Sequence, residues 1–200
     1  MMKKLLMTAL ILTILVLAGS VTTFGLVQVN LEDAINGKAN TQTYNEVALS
    51  GNVVLPVIGL KIDGEYDSGT TTGLNDTQLM AGAGFRLIKL GGFNLFAGLD
   101  YLNSTVGSDQ VTVTFYDASL GWRITKHISV DAWLGNSLTV GYNGISVPAG
   151  QIWRYQARFT YWLVHNAGVS VGVKEITLHT GLPGANFDFN GIYLGLAARL

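Results

Sequence analysis

From residue 26 onward, apolar and polar side chains alternate with a period of two in segment after segment. That spacing belongs to an extended chain with a different environment on each face, not to a helix. Ten such segments run over approximately 24–32, 43–55, 59–67, 77–88, 93–103, 111–123, 128–142, 151–163, 167–178 and 187–200. The sixth, VTVTFYDASLGWR, sets Tyr116, Ala118, Leu120 and Trp122 against Asp117, Ser119, Gly121 and Arg123. The fourth sets Leu79, Ala81, Ala83, Phe85 and Leu87 against Gln78, Met80, Gly82, Gly84 and Arg86. In the eighth, Trp153, Tyr155, Ala157, Phe159 and Tyr161 oppose Arg154, Gln156, Arg158, Thr160 and Trp162.

The links between segments alternate as well. After the second, fourth, sixth and eighth they are short: PVI, KLGG, ITKH and VHNA. After the odd-numbered segments they read as longer polar loops: DAINGKANTQ, SGTTTGLND, STVGSDQ, NGISVPAG and HTGLPGAN. Short turns on one rim and long loops on the other predict an all-β fold, a single up-and-down antiparallel transmembrane β-barrel of the outer-membrane type. An even strand count is expected, ten here with eight as the fallback, and it puts both ends of the barrel on the short-turn rim. The weakest segment, 24–32, could instead be a periplasmic linker.

Alternation alone does not say which face looks inward, since a soluble lipocalin-like binding barrel turns its apolar face to the centre. Two features favour lipid on the outside. Aromatic side chains of the apolar face gather near strand ends, with Phe85, Phe93, Trp122 and Tyr161 toward the turns and Tyr66, Tyr101, Tyr116, Trp153 and Tyr155 toward the loops, as two interfacial girdles require. The opposite face mixes glycines with bulky rings and isolated charges rather than carrying a dense solvated coat. No charge interrupts the apolar face of the three strands quoted, and at a bilayer midplane Arg or Lys there costs roughly 2 to 4 kcal/mol. The ninth segment is less clean: after Lys174 the pattern points Glu175 at lipid, which a bulge or an early exit above the bilayer relieves.

Composition narrows the choice further. Only 12% of residues are charged, Gly numbers 25 and Pro 3, and the net charge is -1. This excludes a nucleic-acid partner, for which phosphate neutralisation needs excess Lys and Arg. With no cysteine there is no disulfide, thiolate chemistry or lipoprotein anchor. The first twenty residues, MMKKLLMTALILTILVLAGS, have the basic, apolar and small-residue regions of a secretory signal, with a cut expected at 20–25 and the barrel domain over 24–200. A retained membrane anchor is the alternative, though the apolar run from Leu5 to Ala18 falls short of the roughly 20 residues a spanning helix needs.

The closing stretch FNGIYLGLAARL, with Ile192, Leu194, Leu196, Ala198 and Leu200 on one face, resembles the terminal strand of small bacterial outer-membrane β-barrel proteins of the OmpX and OmpW class. Together with the leader and the turn rhythm, the resemblance spans nearly the whole chain; Leu200 stands where that class commonly ends in an aromatic residue. It implies residence in the bacterial outer membrane, contact with its lipid, and recognition of the last strand by the barrel assembly machinery.

The inward face then carries Lys61, Arg86, Arg123, Arg154, Arg158, Lys174 and Arg199 against Glu46, Asp63, Glu65, Asp100, Asp117 and Asp131. Charges confined in so narrow a lumen need partners. Strand directions bring Lys61, Asp63 and Arg86 together near the turns and pair Arg123 with Asp131 across RITKH. The expected result is a salt-bridged plug, giving a non-enzymatic structural or envelope protein; a charge-selective constriction makes it a narrow porin-like channel or transporter instead. Catalytic, cofactor and metal sites are expected to be absent. The three histidines, His127, His165 and His179, show no metal-ligand spacing. KHIS and VHNAG resemble the His neighbourhoods of lipid A deacylases, the basis of a lipid-modifying enzyme reading, but both fall on the turn rim, away from the outer leaflet.

Overall fold

The computed structural model describes residues 26–39, 42–71, 74–147, 151–179 and 186–199. The expected leader with its cut at 20–25, and Leu200, lie outside these residues. In chain order the strands are β1 (Leu26–Ala34), β2 (Gly37–Ala39), β3 (Gln42–Leu55), β4 (Leu60–Thr71), β5 (Leu74–Leu90), β6 (Phe93–Val106), β7 (Asp109–Arg123), β8 (Ile128–Tyr142), β9 (Ile145–Ser146), β10 (Gln151–Val164), β11 (Ala167–His179) and β12 (Asn186–Arg199).

Ten of them form a closed antiparallel up-and-down barrel, which excludes the eight-stranded fallback. Each long strand pairs with its sequence neighbours, and β1 joins β12 on one side and β3 on the other. Gln28 is therefore opposite both Arg199 and Asn52, so residues 26–32 of the weakest segment belong to a wall strand and not to a linker. β2 continues β1 beyond an interruption at Ile35–Asn36, and β9 folds back on β8. That small hairpin turns at Asn143–Gly144 with φ of 48° and 82°, the left-handed pair that a two-residue type I′ connection requires and Asn-Gly supplies at low strain.

The expected rhythm of short turns and long loops is only half present. The short turns stand where expected, but SGTTTGLND and STVGSDQ are largely strand: β4 and β5 stay paired to Thr71–Leu74, and β6 and β7 to Val106–Asp109. Thr, Ser and Asn suit a solvated hairpin as well as a loop, and here the ladder takes them. The wall consequently extends well past the Tyr101 and Tyr116 level on this rim.

Irregularities sit elsewhere than Glu175. Register slips occur between Arg86 and Ile88, at Leu138 opposite the Thr114/Phe115 step, and between Trp162 and Val164. Pairing runs unbroken through Glu175, which sits opposite Tyr155 and Asn190, so no bulge relieves it. Its carboxylate faces outward and accepts a hydrogen bond from the Tyr155 hydroxyl.

One inward position depends on having no side chain. A Cβ on Gly98 meets the Ala83 carbonyl oxygen at 2.5 Å and the Gly84 Cα at 2.8 Å, both backbone atoms of the adjoining strand. The Gly98→Ala variant is expected to lose about 1 to 3 kcal/mol through forced backbone displacement, read as a lower urea midpoint in detergent, whereas an alanine at Gly91, with nothing within 4 Å but a φ of 55°, suffers only from its turn conformation.

Candidate functional site: the lumen and its two closures

Side-chain direction follows strand parity. Leu120 and Phe159 point outward while Asp117 and Arg158 point to the axis. Phe85, Tyr101, Tyr116, Trp122, Trp153, Tyr155 and Tyr161 are exposed on the outer wall. Phe93 packs edge-on against Trp122 at 6.4 Å on adjoining strands near the turns, and Tyr161 stacks on His127. At the far end of the apolar band the outward residues become polar: Asn136 donates to the Tyr116 hydroxyl at 2.7 Å, and Glu175 takes the Tyr155 hydroxyl. Asp33, the outward carboxylate of β1, lies just before the Ile35–Asn36 interruption.

Beyond that level both faces exchange character. On β6 and β7 the outward positions become Asn103, Thr105, Gln110, Thr112 and Thr114, and the inward ones Leu102, Val106, Val111, Val113 and Phe115. The slip at Leu138 makes the same exchange on β8, turning Val140 inward. With Tyr44, Ile152, Ile176 and Phe189 these side chains form a closed apolar layer across the lumen, tied by ring contacts between Tyr44 and Phe189 at 5.3 Å and between Phe115 and Trp133 at 5.6 Å. Asp76 is buried in it, accepting from Tyr44 at 2.7 Å, Gln78 at 2.8 Å and Ser104 at 3.3 Å. The buried carboxylate thus has three donors, the condition on which it is tolerated. Alternation within quoted segments does not disclose this layer; the change of apolar phase between Phe115 and Tyr116 is the trace of it in the sequence.

Beneath the apolar layer lies an ionic one. Lys174 reaches from β11 to Glu46, to Asp67 at 2.6 Å and to Glu65 at 3.1 Å. Arg154 meets Glu65 and lies 5.1 Å from the centre of the Trp133 ring, whose N–H donates to Asp100 at 2.7 Å. Tyr193 donates to Glu46 at 2.9 Å beneath the Lys174 ammonium. Lower down, Arg158 makes a two-pronged contact with Glu32, both bonds 2.6 Å, and donates to Ser50 at 3.0 Å. All these charges are buried, and three cations face five carboxylates. Glu32 and Asp67 are not among the inward charges that the alternation picks out: Glu32 lies on the weakest segment and Asp67 is the last residue of segment 59–67, next to an expected loop.

Toward the turn rim the lumen opens into a cavity of about 470 Å³, lined among others by Gln28, Asn52, Lys61, Arg86, Phe96, Arg123, Asp131 and Arg199. Two expected pairings are absent from it. Lys61 bridges Asp63 at 3.3 Å and donates to Ser119 at 2.9 Å, but Arg86 takes no carboxylate and instead lies over the Phe96 ring, 5.5 Å from its centre. Arg123 does not bridge Asp131, which accepts from the Gln28 amide at 3.3 Å, and is itself exposed at the mouth. Antiparallel register explains the miss: Asp131 lies opposite Gly121, two positions deeper than Arg123. Asp117 faces the lumen between Gly98 and Gly135 and forms no ion pair among the described residues. Tyr66 lies opposite Leu79 and Leu49 and is half-buried. His179 approaches Asp188 at 3.5 Å on the loop rim, and no three-residue metal cluster occurs among the described residues.

No protein-family model matches the chain, and no curated protein matches it significantly. Among solved structures it is similar to the β domain of the Bordetella autotransporter BrkA, with 9% identity, a TM-score of 0.47, and 88% of this chain and 98% of that one covered. It is similar also to an outer membrane channel from Pseudomonas putida F1, with 10% identity, a TM-score of 0.47 and coverages of 87% and 93%. A third is the NanC porin, with 8% identity, a TM-score of 0.45 and coverages of 86% and 100%.

Proposed function

We propose that this chain is an integral barrel of the bacterial outer membrane, closed to solutes, with a non-enzymatic structural role in the envelope. One observation supports it above the others: on β6, β7, β8, β10 and β11 both faces of the wall change polarity at one level. Outside, the apolar band ends at Tyr116 and Tyr155 and gives way to Thr112, Thr114 and Thr177; inside, the polar lumen gives way to Val111, Val113 and Ile176. An outer surface of that kind suits lipid below the level and water above it. An interior of that kind leaves an ion no aqueous path, because an apolar constriction excludes it by dewetting.

The test is conductance. Purified protein in a planar bilayer is expected to give a baseline current, and heat-modifiable gel mobility shows that the folded form was inserted. Discrete openings that scale with salt establish the narrow-channel reading instead. An enzyme acting on lipid A would show as an altered lipid A mass spectrum on expression; an unchanged spectrum is expected.

A further inference from the structure

The turn-rim cavity carries charge that the lumen does not neutralise. Its wall holds Lys61, Arg86, Lys89, Arg123, Arg158 and Arg199 against three carboxylates, those of Asp63, Glu65 and Asp131. Asp63 is taken by Lys61, Glu65 by Arg154 and Lys174, and Arg158 by Glu32. Arg86, Lys89, Arg123 and Arg199 are left without a carboxylate partner among the described residues; of the lining carboxylates only Asp131, which accepts from Gln28, stands outside an ion pair, and Asp117 faces the lumen two positions deeper than the lining Ser119.

Two of these guanidinium groups are held in place without being neutralised. Arg199 lies 4.0 Å from the centre of the Trp162 ring, whose N–H is fixed by Ser129 at 2.9 Å, and donates to the backbone carbonyls of His165 at 2.5 Å and Lys126 at 3.4 Å. Arg86 rests over Phe96, which also has Lys61 at 5.9 Å, and its buried Nε has no acceptor. Stacking on a ring orders a guanidinium while leaving its charge intact. It also occupies those ring faces, so a neutral sugar or aromatic solute has little to stack on. Arg123 and Arg199 both line the recess, and like charges in a recess attract a counter-ion.

We propose that this recess is a binding site for a small oxyanion of the phosphate class, reached from the short-turn rim and gripped by the guanidinium groups of Arg86, Arg123 and Arg199. Guanidinium forks match tetrahedral oxyanions by paired, charge-assisted hydrogen bonds. The recess ends blindly at the ionic layer, so its occupant is retained at that rim and not passed across. The inference concerns the turn-rim half of the lumen, whichever membrane surrounds the barrel, and stands or falls separately from the conductance result.

The test is titration calorimetry of the full chain, folded in detergent at low ionic strength, with inorganic phosphate. Saturable binding that weakens as sodium chloride rises is expected. Arg86→Gln and Arg123→Gln are each expected to lower the affinity about tenfold, equivalent to about 1.4 kcal/mol, and Lys38→Gln, on the opposite rim, to leave it unchanged. Gel mobility confirms that each variant is folded; the buried Nε of Arg86 has no acceptor and Arg123 is exposed at the mouth, so neither substitution removes a buried hydrogen bond of the wall among the described residues. A second arm repeats the titration in micelles doped with phosphatidic acid: competition with phosphate assigns the site to a lipid headgroup, and its absence assigns it to a free solute. No saturable binding by the native chain, or native affinity in both arginine variants, overturns the proposal.

Discussion

Replacing Lys174 with methionine is expected to destabilise the barrel by about 3 to 5 kcal/mol, the cost of breaking a buried ion cluster from one side. Its ammonium is the shared partner of Glu46, Glu65 and Asp67. Among the described residues only Glu65 retains a second cation, Arg154. The variant therefore leaves the Glu46 and Asp67 carboxyl groups without this ammonium in a place from which water is largely excluded, Glu46 keeping the Tyr193 hydroxyl. Adding Glu46→Gln and Asp67→Asn to Lys174→Met removes the stranded carboxyl groups, and the triple variant is expected to recover much of the loss, because such clusters are strongly non-additive. Urea titration of the detergent-folded protein, followed by gel mobility, measures both steps. Equal midpoints for the native and Lys174→Met chains would mean that the layer is hydrated and the lumen not closed there.

The second large effect concerns the outer wall. Val171→Arg places a cation in the middle of the apolar band, where the register sets Val171 between Phe159 and Leu194. A cost of about 2 to 4 kcal/mol is expected at that depth, falling to about 0 to 1 kcal/mol near an interface. Thr112→Arg is the comparison: it too faces outward, but it lies beyond Tyr116, where the wall has turned polar. Folding yields into lipid vesicles should separate the two variants sharply. Equal yields would remove the assignment of the band to hydrocarbon.

Strand positions are legible because a barrel wall enforces period two along nearly all of each strand, and segment 128–142 coincides with β8 to the residue despite its slip at Leu138. Loop lengths are not, because Ser68–Thr71 and Asn75–Thr77 have the composition of a loop and the pairing of a ladder. The ion cluster is legible in its cations, Arg154, Arg158 and Lys174, and in Glu46, Glu65 and Asp100, since all fall on the inward face of alternating strands. It is illegible in its partnerships: Arg158 meets Glu32, 126 positions away in sequence and across the lumen, and Lys174 meets Asp67 at a separation of 107. Contacts across an enclosed interior depend on which strands face one another, and pairing rules between sequence neighbours say nothing about that. The apolar layer was missed for a related reason. VTVTF has a valid alternation of its own, and only its phase relative to YDASLGW reveals that inside and outside have changed roles.

Closure by β1 against both β12 and β3 has a kinetic consequence. Every other long-strand junction joins segments adjacent in sequence and can zip locally, but the Leu31–Leu196 seam brings together residues from opposite ends of the wall. That contact carries the greatest loop-closure entropy in the molecule. Until it forms, the nascent sheet has two bare rims of unsatisfied amides, each able to template another chain. Completion is accordingly the slow, final event, and the interval before it is when the polypeptide is most exposed to aggregation.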